Sequence, residues 1–269
     1  MSYTPSATLH AEPPGILRLA GHPVRWQLLA ELARSDRQVR ELTALVGQRQ
    51  SLTSYHLAQL RTGGLVTMRR SSADGRDIYC SLNMSAFRQQ LTEAGGALHP
   101  GLRLVRAEQS PSAGGSGEAT SQSPAQPPVR VLFLCTGNSA RSQMAEAMLA
   151  HLGGSRIETA SAGSHPKDLH PDAVRVMRER GIDISGARPK HLREFAEQRF
   201  DFVISLCDRV REVCPEFPGP PAMVHWSIPD PAAETTANQD DHSTFVRTAD
   251  DLNTRIQFLL SAIEYTPTN

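Results

Sequence analysis

A cysteine, an arginine and a serine stand at a spacing that suits chemistry on a tetrahedral anion. Five residues separate Cys135 from Arg141, and Ser142 follows directly. A thiolate is a strong nucleophile, and a guanidinium presents a planar pair of donors to two oxygens of one anion. A neighbouring hydroxyl can hydrogen-bond the sulfur. The spacing therefore predicts a nucleophilic site for an oxyanion of the phosphate type.

The elements around Cys135 are predicted to form a cradle for that anion. The apolar run VRVLFLC is predicted to be a strand that ends at Cys135, and MAEAMLAHL is predicted to be a helix. A loop between a strand and a helix aims backbone N–H groups and the positive helix end at one point, which favours both anion and thiolate. Asn138 suits a left-handed φ in such a loop. The predicted anion-binding residues are Thr136, Gly137, Asn138, Ser139 and Ala140.

Three more residues could take part in the chemistry. Asp230 lies between two prolines on a predicted surface loop, from which a carboxylic acid could protonate a departing oxygen, although alone it reads more simply as a turn residue. Cys207 and Cys214 lie at and beyond the end of the predicted strand FDFVISLC. Four cysteines are too few for a disulfide scaffold, and in a reducing compartment such residues are more often catalytic. Cys80, the remaining cysteine, is predicted to pack in a core.

Predicted strands and helices alternate after residue 129. Further strands are expected at RIETASAG and FDFVISLC, and helices at PDAVRVMRERG and DDLNTRIQFLLSAI. This alternation predicts an α/β domain over residues 129–269, with a parallel sheet flanked by helices and the cysteine loop at its edge.

Residues 129–264 resemble the low-molecular-weight phosphotyrosine phosphatase fold in the segments VLFLCTGNSARSQMAEA, TASAG, RERGIDISGARPKHL and DFVISLCD and in the Asp-Pro loop. The resemblance implies that Cys135 is the nucleophile, Arg141 the anion clamp and Asp230 the general acid. That fold hosts both phosphatases and thiol-coupled arsenate reductases, so the fold does not decide the reaction.

Three features favour a reductase. Gln143 stands where similar phosphatases carry proline, and Ala-Ala-Glu follows Asp230 and Pro231 without the tyrosines that flank phosphotyrosine sites. Cys207 and Cys214 precede Pro215 in the arrangement of thioredoxin-coupled reductases. The resemblance implies a relay through Cys135, Cys207 and Cys214, with no bound cofactor and with thioredoxin or another thiol as reductant. Some reductases have a second cysteine in the loop where this chain has Ala140.

A different domain is predicted before a Ser/Gly/Pro-rich linker at residues 107–128. Residues 1–106 carry 13 Arg and no Lys against 7 acidic residues, a net +6, whereas residues 129–269 carry 15 basic and 19 acidic residues, a net −4. In residues 1–106 the predicted order of helix, helix, turn, helix and hairpin is typical of a mainly α winged helix-turn-helix that binds DNA. The predicted DNA contacts are Gln50, Ser51, Thr53, Ser54, Tyr55, His56, Gln59, Arg69, Arg70 and Arg76.

Residues 14–84 resemble the ArsR/SmtB repressors in the recognition helix around Ser54 and His56 and in the wing around Arg69 and Gly75. The resemblance implies a homodimer, formed through this domain, that leaves operator DNA when an inducer binds. The chain departs from the family because VRELTALVG, where the paired-thiolate arsenite site is found, has no cysteine. The inducer or metal site is therefore not predicted.

Together these features predict an arsenic-responsive repressor fused to an arsenate reductase, with arsenate and arsenite as substrate and product. A protein-tyrosine phosphatase fused to a DNA-binding regulator and a purely regulatory oxyanion sensor are the alternatives. No apolar run approaches the ~18 residues that span a bilayer, so a cytoplasmic protein without a membrane segment is expected.

Overall fold

Two hydrophobic cores organise the described residues 12–99, 102, 127–233 and 241–265 of the computed structural model. One core contains residues between Ile16 and Ala94, and the other contains residues between Val131 and Leu259. The predicted linker at 107–128 lies outside the described residues except for its last two positions. In the described part of the chain, no helix is long and apolar enough to cross a membrane.

The N-terminal domain has the predicted order of helices followed by a hairpin, with three additional elements, α1, β1 and α5. Its elements are α1 (Gly15–Ala20), α2 (Pro23–Arg34), β1 (Arg37–Gln38), α3 (Val39–Leu45), α4 (Gln50–Thr62), β2 (Val66–Arg70), β3 (Ile78–Leu82) and α5 (Met84–Leu98). The short β1 pairs with β3 at the side opposite β2. Residues 71–77 connect β2 to β3 and are called the wing turn below.

Local sequence explains where these helices begin and end. Pro23 occupies the first turn of α2, where its missing N–H costs nothing, and the His22 ring accepts a hydrogen bond from the Val24 N–H. Gly47 and Gly64 adopt positive φ values just after α3 and α4, as the predicted helix ends require.

The C-terminal domain is a parallel sheet with helices, as predicted, and the structure adds a fourth strand at Ala222–His225 and a short helix at Asp208–Glu212 that were not predicted. Along the chain it contains β4 (Val129–Cys135), α6 (Arg141–Gly153), β5 (Ile157–Gly163), α7 (Pro171–Glu179), β6 (Phe202–Ser205), α8 (Asp208–Glu212), β7 (Ala222–His225) and α9 (Asp241–Tyr265). The strand order is β5-β4-β6-β7. Residues 131–135 of β4 are all buried, which explains their unbroken apolar run. The carboxyl ends of β4 and β6 are neighbours, so Cys135 and Cys207 emerge at one edge.

The two domains contact each other directly. The Asp36 N–H donates to the His225 carbonyl at 2.8 Å, and the Ser35 hydroxyl oxygen accepts from the His225 N–H at 2.9 Å. The buried Asp36 carboxylate accepts from the Ser227 N–H at 2.7 Å and pairs with Arg255 of α9 at 3.1 Å. The segment after α2 therefore binds the chain at the end of β7 through fully paired buried groups.

Candidate functional site

The loop after β4 wraps around the Cys135 sulfur. The Asn138 N–H donates to Cys135 Sγ at 3.1 Å, and Ser142 Oγ lies 2.9 Å from the same sulfur. Cys135 is 2% exposed, and α6 begins at Arg141 immediately after the loop. Donors and a helix N-terminus that face one point suit the binding of an anion beside the sulfur.

Asn138 is the centre of the loop's hydrogen-bond network. It is fully buried, and its φ of 44° is left-handed, as predicted from its residue type. Its amide nitrogen donates to Ser142 Oγ at 2.9 Å and to Ser161 Oγ at 2.8 Å. Its amide oxygen accepts from Gln143 at 3.1 Å and from the Lys190 N–H at 2.7 Å. Gln143 thus supports the loop from behind.

Gly163, at the end of β5, allows the loop to approach the sheet closely. A Cβ atom at this position would lie 2.7 Å from the Thr136 carbonyl oxygen and 2.8 Å from the Asn138 nitrogen. Both are backbone atoms of the anion-binding loop, so any larger residue would displace it.

Arg141 and Asp230 lie together at the mouth of the loop. The Arg141 side chain is 7% exposed, and it donates from Nη1 to the Ile228 carbonyl at 2.9 Å. Its Nη2 lies 3.2 Å from Asp230 Oδ2, and the Asp230 side chain is 49% exposed. The clamp is therefore held rigidly from one side, while its carboxylate partner remains accessible to a substrate.

A cleft of about 370 Å³ opens above the loop. It is lined by the predicted residues Cys135, Thr136, Gly137, Ser139, Ala140, Arg141, Cys207 and Asp230, whereas Asn138 and Ser142 support the loop from beneath. Sequence reasoning missed Lys167, Asp168, His170, Arg209 and Ser72. The first three follow β5, where the carboxyl end of a parallel strand could have indicated them. Ser72 belongs to the wing turn of the other domain, and no local pattern indicates it.

Cys207 and Cys214 flank the short helix α8. Cys207 is 2% exposed, and its sulfur lies 3.2 Å from Thr136 Oγ1 in the anion-binding loop. Burial raises the pKa of Cys207, partly opposed by the charge of Arg141 and reinforced by the neighbouring Cys135. Cys214 is half-buried, and burial raises its pKa to about 11. Both thiols are thus predominantly protonated at neutral pH.

Asp208, the first residue of α8, is the most heavily hydrogen-bonded carboxylate of the domain contact. It is 1% exposed and accepts from Arg69 at 2.8 Å, from the Ser72 N–H at 2.7 Å and from the Ser72 hydroxyl at 3.0 Å. His225 and Ser227 of its own domain donate at 3.1 and 2.7 Å. Burial alone would raise the pKa of Asp208, but these hydrogen bonds and the charge of Arg69 lower it below the usual range.

Helix α4 presents part of the predicted DNA-contact set to solvent. Gln50, Ser51, Ser54, Tyr55 and Gln59 are exposed. Thr53 and His56 are 0% and 4% exposed, so their prediction as DNA contacts is wrong for this structure. They share helical spacing with the core residues Leu57 and Leu60, and the His56 ring packs 4.4 Å from the His22 ring.

The three predicted wing arginines point in different directions. Arg70 is exposed at the end of β2, and Arg76 is 92% exposed beside Asp74 in the wing turn. Arg69 instead turns toward the C-terminal domain, where it binds Asp208 and Ser227, contrary to its prediction as a DNA contact. Neighbouring strand residues face opposite sides, which explains why Arg69 and Arg70 differ.

Cys80 packs in the N-terminal core, as predicted. It is fully buried, and burial raises its pKa to about 12. Among the residues that the structure describes, no group of three or more His, Cys, Asp or Glu side chains is placed to hold a metal ion.

Two family models match the chain in separate regions. The model described as low molecular weight phosphotyrosine protein phosphatase matches residues 130–266, just over half of the chain. The model described as bacterial regulatory protein, arsR family, matches residues 22–68. The chain therefore joins an arsR-type DNA-binding region to a low-molecular-weight phosphatase fold.

Known proteins are similar mainly to the C-terminal region. An arsenate reductase of Halalkalibacterium halodurans is 37% identical over 127 residues, which are 47% of this chain and 91% of the relative. A solved arsenate reductase in its phosphate-binding state is 31% identical, covers 50% of this chain and 98% of its own, and has a TM-score of 0.41. A thioredoxin-dependent arsenate reductase of Corynebacterium glutamicum is 23% identical over 88% of this chain and 96% of its own, with a TM-score of 0.42.

Proposed function

Because the chain belongs to the low molecular weight phosphotyrosine protein phosphatase family and is similar to arsenate reductases, we propose that it reduces arsenate to arsenite. Its N-terminal arsR-type region is proposed to bind operator DNA as a homodimer. We further propose that the protein works in the cytoplasm, where thiols are kept reduced.

The observation that carries the reductase proposal is a second thiol beside the nucleophile. Cys207 and Cys135 line the same cleft, and Cys207 contacts Thr136 of the loop that surrounds Cys135. Hydrolysis of a phosphate ester needs the nucleophile, the clamp and an acid, but it does not need a second thiol. A neighbouring thiol can form a disulfide with the nucleophile's sulfur, so that the electron pair of the bond between that sulfur and arsenic stays on arsenic.

The first proposed step is substitution at arsenic. Cys135 thiolate attacks As(V) of arsenate held by the loop N–H groups and Arg141, forming an S–As bond. One As–O bond breaks, and Asp230 protonates the departing oxygen, which leaves as water. The 3.2 Å contact between Arg141 and Asp230 supports this assignment, because an anion bound to the clamp would lie next to Asp230, which acts in its protonated form.

The second step transfers electrons. Cys207 thiolate attacks Cys135 Sγ, the S–As bond breaks, and its electron pair stays on arsenic, so As(V) becomes As(III) and leaves as arsenite. Cys214 thiolate then attacks Cys207 Sγ and releases Cys135 thiolate, which leaves a Cys207–Cys214 disulfide. An external dithiol, proposed to be thioredoxin, reduces that disulfide by the same exchange chemistry.

The decisive experiment measures arsenate-dependent NADPH consumption by the full chain with thioredoxin and thioredoxin reductase. We expect sustained turnover in the wild type and, for Cys135→Ser, less than about a tenth of that rate, because a hydroxyl is a far weaker nucleophile. Cys80→Ser is the matched control and should retain activity. Rapid p-nitrophenyl phosphate hydrolysis without any arsenate-dependent NADPH consumption would select the phosphatase alternative instead.

A further inference from the structure

The N-terminal domain holds α8, the helix between the two proposed relay cysteines. Arg211 donates to Glu41 of α3 at 2.5 Å and to the Tyr79 hydroxyl of β3 at 3.0 Å. Arg209 donates to the Ser72 carbonyl of the wing turn at 3.2 Å. Both arginines belong to α8, which has only five residues. Most of the polar contacts of this helix are with the DNA-binding domain.

The contact reaches the residue next to the redox-active thiol. Asp208 follows Cys207 directly and accepts four hydrogen bonds from Arg69 and Ser72 of the N-terminal domain. The carboxylate is buried, so removing these donors would leave a buried charge short of partners, which is strongly unfavourable. Because Asp208 is the first residue of α8, it can keep these hydrogen bonds only while α8 stays in place.

A disulfide between Cys207 and Cys214 is incompatible with α8 as it stands. Cys207 and Cys214 lie on either side of the five-residue helix α8, and these five residues alone span about 7.5 Å at about 1.5 Å rise per residue. A disulfide requires Cα atoms within about 7 Å. Forming the bond therefore requires the segment 208–213 to unwind or loop out, which displaces Asp208, Arg209 and Arg211.

We infer that the DNA-binding domain senses the thiol state of the catalytic domain: it docks on α8 when Cys207 and Cys214 are reduced and is released when they form a disulfide. The inference rests on the proposed function, because there arsenate is the natural oxidant that accepts the two electrons. The bond forms as Cys214 attacks the Cys135–Cys207 disulfide and Cys135 leaves as thiolate. The signal would then be arsenate turnover.

Two further observations support a sensor at this contact. Ser72 of the wing turn lines the catalytic cleft itself, so the DNA-binding domain forms part of the wall around the substrate. Cys80, the one thiol of residues 1–106, is fully buried with a raised pKa, so it is poorly suited to bind arsenite. A signal that starts at the catalytic thiols needs no arsenite site within the DNA-binding domain.

Release has a defined electrostatic consequence for DNA binding. In the docked state Asp208 neutralises Arg69, which lies on the wing strand β2. Release frees this arginine for a phosphate group of DNA. Each additional phosphate contact steepens the dependence of log Kobs on log salt concentration by about 0.9 for duplex DNA.

The docking test uses the full chain with Cys80→Ser and Cys135→Ser, in which Cys207 and Cys214 are the remaining thiols. Diamide takes two electrons and two protons from the two thiols and forms their disulfide. Peptide mass spectrometry verifies that this disulfide lies within one chain. We expect amide hydrogen exchange in β2 and the wing turn, residues 66–77, to be at least about fivefold faster after oxidation, the lower end of typical coupling between sites. Unchanged exchange with the disulfide verified would overturn the inference.

Matched variants separate the disulfide from other effects of oxidant. Adding Cys214→Ser to the same background prevents the bond, and diamide should then leave the exchange of residues 66–77 unchanged. Arg211→Ala in the reduced chain should accelerate that exchange without oxidant, because it removes the contacts with Glu41 and Tyr79. Arg61→Ala, which removes an exposed arginine from α4, should not. Equal exchange in Arg211→Ala and Arg61→Ala would contradict the proposed role of α8.

The transmission to DNA is tested with a mixed-sequence duplex, whose binding reports phosphate contacts rather than base recognition. The salt dependence of binding should be steeper for the oxidised protein by about one contact for each bound chain, and this difference should vanish in Arg69→Ala. Identical slopes in both thiol states would overturn the transmission. In the wild-type chain, failure of arsenate to oxidise Cys207 and Cys214 would refute the proposed reductase, while release by diamide would still support redox-dependent docking.

Discussion

Asn138 shows how much of the oxyanion site depends on one side chain. It combines a left-handed backbone with four side-chain hydrogen bonds, and it is completely buried. Ser142, Ser161 and Gln143 each form one of these hydrogen bonds with it. The residue that shapes the loop is thus different from the residues that are assigned to the chemistry.

Asn138→Ala is expected to destabilise the protein by about 3 kcal/mol, from lost buried hydrogen bonds and the cost of a positive φ at alanine. Asn138→Gly removes the same hydrogen bonds but tolerates the backbone, so it should be less destabilised by about 1 kcal/mol. Urea denaturation of both variants measures the difference. Equal stability of the two would show that the backbone conformation is not strained in the alanine variant.

The thiol of Cys207 should make the second chemical step depend on pH. Since its pKa is raised by burial, only a small fraction is thiolate at neutral pH, and that fraction grows roughly tenfold per pH unit below the pKa. We expect the single-turnover rate of Cys135–Cys207 disulfide formation in Cys214→Ser to rise between pH 7 and 9. Acid-quenched mass spectrometry follows the disulfide. A flat pH profile would mean that Cys207 attacks as an already ionised group.

At the scale of elements, α8 is the part of the fold that must change its conformation during the proposed catalytic cycle. It is short and lies between Cys207, which is buried, and Cys214, which is half-buried. A five-residue helix has little stability of its own and depends on its packing and polar contacts. Such an element can be rearranged without unfolding β6 or the core beneath it.

Cys214→Ser should stop after one turnover with a Cys135–Cys207 disulfide. The serine cannot attack Cys207, so the exchange that frees Cys135 does not take place. Stoichiometric arsenite release followed by arrest, with the trapped disulfide seen in peptide maps, is the expected result. Sustained thioredoxin-driven turnover by this variant would require the three-cysteine relay to be abandoned.

At the scale of the whole molecule, the domains differ in net charge, but ion pairs of both senses join them: Arg69 pairs with Asp208, whereas Asp36 and Glu41 pair with Arg255 and Arg211. Arg69 contacts the C-terminal domain, while Arg70 and Arg76 remain exposed. The exposed α4 residues and the wing turn, which are predicted to contact DNA, are therefore accessible even when the domains are docked.

Arg76→Ala should weaken DNA binding and reduce the salt dependence of log Kobs by about 0.9 for each bound chain, the loss of one phosphate contact per chain. Fluorescence anisotropy with a labelled duplex across a salt series measures both effects. Arg34→Ala, which removes an exposed arginine from the end of α2, is the control and should leave the slope unchanged. The same slope in wild type and Arg76→Ala would exclude the wing tip from the DNA interface.

Short-range patterns determined the elements and the oxyanion loop of this protein. The strand, loop and helix around Cys135, the left-handed Asn138 and the glycines that close α3 and α4 follow from local preferences, which a sequence displays directly. Tertiary structure alone decided that Thr53 and His56 are buried, that Arg69 faces Asp208 and that Ser72 lines the cleft. These outcomes depend on which helix face packs inward and on contacts between residues more than a hundred positions apart. Spacing along the chain cannot encode such contacts, because they arise when two separately folded cores meet.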